Sequence, residues 1–86
     1  MKAKKLDRRH SGYSMFKWAI DFTHKENLEF CQIREWLWEQ FGSSCELEFC
    51  YKFNKNVDWA WINDQHRLRI YIKSDKEYQW FLLKWQ

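Results

Sequence analysis

The sequence predicts an α+β fold, a two-layer sandwich in which a four-stranded mixed sheet carries two helices on one face, in the order β-α-β-β-β-α. Three observations lead there. Apolar residues recur at the two-residue period of half-buried strands in 16–22, 45–53 and 67–73. They recur at the helical period in 24–41 and 75–85. Both helical stretches open on a capping-box pattern, Thr23 with Glu26 and Ser74 with Glu77, whose reciprocal bonds satisfy the orphan amides of a helix start.

With 86 residues the chain has room for one modest core. Aromatic residues make up 21% of it, and each can bury on the order of 150 to 250 Å², so dense packing is the expected source of stability. Pro is absent and Gly occurs twice, which leaves few places for long irregular loops. The net charge of +3 is unevenly spread: five basic residues against one acid give residues 1–10 a net +4, and the remainder carries −1. Residues 1–12 have only Leu6 as a sizeable hydrophobe and are expected as a flexible basic arm, with 13–86 as a single compact domain.

Taken in order, Phe16, Trp18, Ile20 and Phe22 alternate with Lys17, Ala19 and Asp21 in a first strand within 13–22. The first helix follows to Phe41, with Phe30, Ile33, Leu37 and Phe41 on one stripe, Cys31 and Trp38 widening it, and Gly42 as the left-handed terminator. Residues 45–53 read as a second strand, with Leu47, Phe49, Tyr51 and Phe53 inward. A hairpin at 57–73 supplies two more strands. Pairing Ile62 with Arg67 would set Trp61 opposite Leu68, Trp59 opposite Ile70 and Val57 opposite Ile72. The second helix, 75–85, turns Tyr78, Phe81, Leu82 and Trp85 to the core. The expected core is Phe16, Trp18, Ile20, Phe30, Ile33, Leu37, Leu47, Phe49, Tyr51, Trp59, Trp61, Leu68, Ile70, Ile72, Phe81 and Leu82.

No catalytic, cofactor or metal signature emerges. His10, His24, His66, Cys31, Cys45 and Cys50 lack the spacings that metal sites use. Asp58, Asp64 and His66 fall near the hairpin turn without a nucleophile, a phosphate loop or paired carboxylates, and turn chemistry explains Asn63-Asp64. In one strand Cys45 and Cys50 would stand about 16 Å apart at ~3.3 Å per residue, too far to bridge. An odd cysteine count and no apolar run approaching the ~20 residues of a membrane span suggest a reducing, cytoplasmic setting.

These observations favour a non-enzymatic binding module. Trp36, Trp80 and Leu83 lie off the core stripes, where Trp36 and Trp80 either fill a seam between the helices or anchor a protein partner. The alternative partner is nucleic acid, met by Lys2, Lys4, Lys5, Arg8 and Arg9 of the arm and by Arg67, Arg69, Tyr71 and Lys73 on the outer sheet face. Glu46, Glu48 and Asp58 share that face, and a register slip of one residue would carry Trp59 and Trp61 onto it.

From Glu26 on, the expected order of helix, three strands and helix resembles the double-stranded-RNA-binding domain in topology. The chain departs from that family at Ser74-Asp75-Lys76-Glu77, with one Lys against two acids where the family places a lysine cluster, and at His66, which lacks its Gly-Pro context. The series Arg34-Glu35-Trp36-Leu37-Trp38-Glu39-Gln40-Phe41-Gly42, Trp59-Ala60-Trp61-Ile62, Arg69-Ile70-Tyr71-Ile72 and Trp80-Phe81-Leu82-Leu83-Lys84-Trp85 resembles small uncharacterised proteins of tailed bacteriophages. That resemblance implies a compact accessory protein acting by binding inside an infected bacterium.

Overall fold

The computed structural model describes residues 1–10 and 13–85. Four strands, β1 (Lys2–Lys5), β2 (Trp18–Phe22), β3 (Trp59–Asn63) and β4 (Leu68–Ile72), form one sheet in the order β1-β2-β4-β3. Every neighbouring pair is antiparallel, so the sheet is not mixed. Three helices accompany it: α1 (Asn27–Phe41), entered through a short 3-10 turn at His24–Glu26, α2 (Leu47–Lys52) and α3 (Asp75–Trp85). The order is therefore β-β-α-α-β-β-α.

Local chemistry accounts for the elements that the sequence predicts. The Glu26 carboxylate accepts the Thr23 backbone N–H at 2.8 Å, and Ser74 donates its hydroxyl to Glu77 at the start of α3. Gly42 ends α1 at φ 86°, a left-handed value that side-chain-bearing residues avoid. Asp64 Oδ1 accepts the backbone N–H groups of His66 and Arg67, at 2.8 and 2.7 Å, and so ties the turn between β3 and β4.

Alternation along the strands builds two cores on opposite faces of the sheet. On the first, Ile20, Phe22, Trp59, Leu68, Ile70 and Ile72 pack against Phe30, Ile33 and Leu37 of α1 and Tyr78 and Phe81 of α3. On the second, Ala19, Ala60 and Tyr71 pack against Leu47 and Cys50 of α2 and against Leu6 and Phe16.

Several expectations are corrected. Residues 45–53 place a helix where a strand was expected. It buries Leu47 and Cys50, three apart, and leaves Phe49, Tyr51 and Phe53 at 44%, 45% and 58% exposure. Leu, Glu and Lys favour helix, Glu48 sits in the first turn and Lys52 in the last, matching the helix dipole. A single parallel bridge from Glu46 to Trp61 is all the extended pairing this stretch makes. Within the stretch expected as a flexible arm, Lys2–Lys5 pair with β2 as an edge strand, and Leu6 is 5% exposed. Lysines on both faces hid that strand's alternation, and they blunt an open sheet edge. Ser11 and Gly12 lie outside the described residues. In the hairpin, Trp61 faces Ile70 and Trp59 faces Ile72. That register is two residues from the expected one, and an even slip keeps every side chain on its face, so Trp59 stays in the core at 0% exposure.

Candidate functional site

The three residues singled out as partner anchors come together. Trp36 and Gln40, one turn apart on α1, and Trp80, Leu83 and Lys84 on α3 line a shallow depression between the two helices. Trp36 is half-buried, edge-on to Phe41 at 6.0 Å and to Trp85 at 6.2 Å between ring centroids, so it fills the seam and floors the depression at once. Trp80 and Leu83 are 50% and 79% exposed. The Trp80 indole Nε1–H donates to Gln40 Oε1 at 3.0 Å, which fixes the ring across the gap. On the other side of Trp80 a second depression is lined by Gln40, Phe41, Asp58, Lys76, Glu77 and Trp80 itself. The charges at the two depressions are mixed: Lys84 lines the first, and Asp58, Lys76 and Glu77 line the second.

A further aromatic was missed by sequence reasoning. Trp38, expected to widen the core stripe, is 53% exposed and lines a concavity on the far flank of α1 with Cys31, Arg34, Glu35, Glu39, Trp59 and Trp61. The Arg34 guanidinium lies over the rings of Phe30 and Trp61, at 5.0 and 5.3 Å from their centroids. Its position at the margin of the helical stripe was the available signal.

The residues considered for nucleic acid do not form one surface. Tyr71 is fully buried in the second core, and Arg69 donates to Asp21 and, at 3.1 Å, to the Tyr71 hydroxyl. α2 and the segment around Phe16 cover Tyr71 on the face that was expected to be open, and Arg69 is engaged by these partners with its side chain 12% exposed. Arg67 lines a depression with Glu46, Glu48 and Asp64. Lys2 stands opposite Asp21 in the strand register, Lys4 reaches the Asp21 carboxylate at 3.5 Å, and Arg9 folds back on Asp7 at 3.2 Å. Lys5, Arg8 and Lys73 do converge, lining with Lys17 and Tyr13 a concavity floored by Leu6, Met15 and Phe16. Lys73 Nζ donates to Asn56 Oδ1 at 2.6 Å, and Lys17 Nζ to Asp75 Oδ2 at 2.8 Å.

Asp75, at the start of α3, ties that helix to β2 and the residue before it. Besides Lys17 it accepts the Trp18 indole N–H at 2.8 Å, and Trp18 stacks on Tyr78 at 3.9 Å. The Lys17 ammonium foremost, and then the Trp18 N–H, hold the Asp75 carboxyl below its ordinary range.

Among the described residues no group of three or more His, Cys, Asp or Glu is placed to hold a metal ion, and no helix is long and apolar enough to cross a membrane. No family model matches the chain, and no curated protein and no solved structure matches it significantly.

Proposed function

We propose that this protein is a non-enzymatic binding module that takes a protein partner in the depression between α1 and α3. The observation that supports it most is the convergence of Trp36, Trp80 and Leu83, residues off the core stripes, on one exposed seam. Aromatics held rigidly at a surface give large contact area at little entropic cost, which is why Trp dominates interface hot spots. A groove between two helices accepts a third helix. The apolar lining with Lys84 at its edge favours an amphipathic helix that sets an acid beside its apolar stripe. On the resemblance to bacteriophage accessory proteins, the binding takes place inside an infected bacterium.

The immobilised protein, Trp80→Ala and Leu83→Ser are exposed to nuclease-treated bacterial lysate. A stoichiometric protein retained by the parent and lost from both variants is the expected result. Loss of all binding on nuclease treatment, or equal capture by parent and variants, overturns the reading.

A second reading rests on the concavity that gathers Lys5, Arg8, Lys17 and Lys73 beside Tyr13. Those groups suit a phosphate backbone with one base stacked on the ring. Binding of a labelled single strand that weakens by about 0.7 log units per contacted phosphate for each decade of salt, and is abolished in Lys5→Ala/Lys73→Ala, would favour it.

A further inference from the structure

Two of the three cysteines meet in the second core. Cys45 Sγ and Cys50 Sγ lie 3.0 Å apart, roughly 1 Å beyond the ~2.05 Å of a disulfide. The expectation that they could not bridge assumed an extended chain; α2 instead turns Cys50 back over the residue that precedes its N-cap, Glu46. Cys31 packs with the first core, on the other side of the sheet. We propose that Cys45 and Cys50 are a dithiol site for reversible disulfide formation, oxidised by a low-molecular-weight disulfide such as glutathione disulfide.

The two thiols are unequal, which orders the steps. Cys45 is half-buried, and Cys50 is fully buried, its thiol pushed up to about 12 by burial and by the Cys45 thiol. Cys45 is therefore the attacking group. Its thiolate displaces one glutathione thiolate and forms a mixed disulfide. Cys50 then attacks the Cys45 sulfur, its proton passing to the second glutathione as that sulfur leaves. Two thiols and one glutathione disulfide become one protein disulfide and two glutathione thiols, so both electrons and both protons end on glutathione. The sulfurs already stand in contact, and bridging them draws them together by roughly 1 Å. The bridge closes the short loop from Cys45 to the second turn of α2, fixing the entry to the helix that covers Ala60 and Tyr71.

The full-length chain is equilibrated anaerobically in glutathione buffers running from reducing to oxidising, quenched by alkylation and measured by intact and peptide mass spectrometry. Expected at the oxidising end are alkylation of Cys31 alone, a mass lower by about 2 Da for the bridged pair and an unchanged near-ultraviolet circular dichroism spectrum. Cys31→Ser should show the same two-electron transition at the same potential. Cys45→Ser should lose it and keep Cys50 alkylatable on unfolding. Three alkylated thiols at every potential, a bridge or a covalent dimer through Cys31, or loss of the near-ultraviolet signal on oxidation would overturn the proposal.

Discussion

The two faces of the sheet are packed by different means. Large side chains of β2, β3 and β4 meet two helices of 15 and 11 residues on the first face, and each of these helices repeats its apolar stripe over several turns. On the second face the strands offer Ala19 and Ala60 around one Tyr71, and their cover is a helix of 6 residues together with Leu6 and Phe16. Small residues on a strand are where a neighbouring segment comes close. A core built that way depends on exact approach, whereas a core of interlocked large side chains tolerates more local adjustment.

The first face should break hardest. Trp59→Ala removes the largest fully buried side chain and the indole N–H that donates to the Gly42 carbonyl at 2.9 Å. Urea denaturation should show a loss of about 3 to 5 kcal/mol, a large share of a small domain's stability. A loss below about 1 kcal/mol would mean that the indole is not in the core.

Leu6→Ala probes the second face from the segment that the sequence suggested was detached. Burial at 5% exposure implies a cost of about 2 kcal/mol, near the lower end for Leu to Ala because its side chain lines an open concavity. An unchanged midpoint would return residues 1–10 to the status of a loose arm.

Acid titration sharpens the contrast at the junction of sheet and α3. The Asp75 carboxyl is depressed in the folded state, so its stabilising effect is complete above the unfolded value of about 3.9 and disappears as pH falls through the folded value. Asp75→Asn should therefore flatten the fall in stability below about pH 4 and lower stability near neutrality. Identical pH profiles for parent and variant would show that the Lys17 and Trp18 bonds to Asp75 are not kept in solution. Smallest of all should be Trp80→Ala, within about 0.5 kcal/mol of the parent, since half of its ring is already in solvent. A larger loss would make Trp80 a core residue and remove it as a partner anchor.

How much of this was legible follows the same division. The Thr23–Glu26 capping box, Gly42, both long helices and the inward faces of Trp59, Leu68, Ile70 and Ile72 are visible in the sequence, because large side chains at a fixed period and cap residues act locally. The convergence of Trp36, Trp80 and Leu83 could be suspected, since each lies off its helix's stripe. The helix at 47–52 could not be told from a strand: Leu47, Phe49, Tyr51 and Phe53 alternate, and over one or two turns both periods fit the same apolar residues. Nor did anything local mark Ala19 and Ala60 as core, or β1 as a strand, since its pairing is with β2 rather than within itself. The closeness of Cys45 and Cys50 was lost with the misread helix.

The sheet order also carries a kinetic consequence. β3 and β4 are joined by four residues and can pair as soon as the hairpin closes, but β2 meets β4 at Ile20 opposite Ile70, with α1, α2 and β3 all lying between them in the chain. Bringing those strands together closes a loop of some fifty residues before either central strand is fully paired. The pairing of β2 with β4 therefore carries the largest loop-closure cost in the sheet, and until β2 arrives β4 has an open edge of Leu68, Arg69, Ile70, Tyr71 and Ile72. The lysines that guard β1 protect only the finished sheet; during folding the hairpin's inner edge has no such guard, and crowding of newly made chains is most dangerous in that interval.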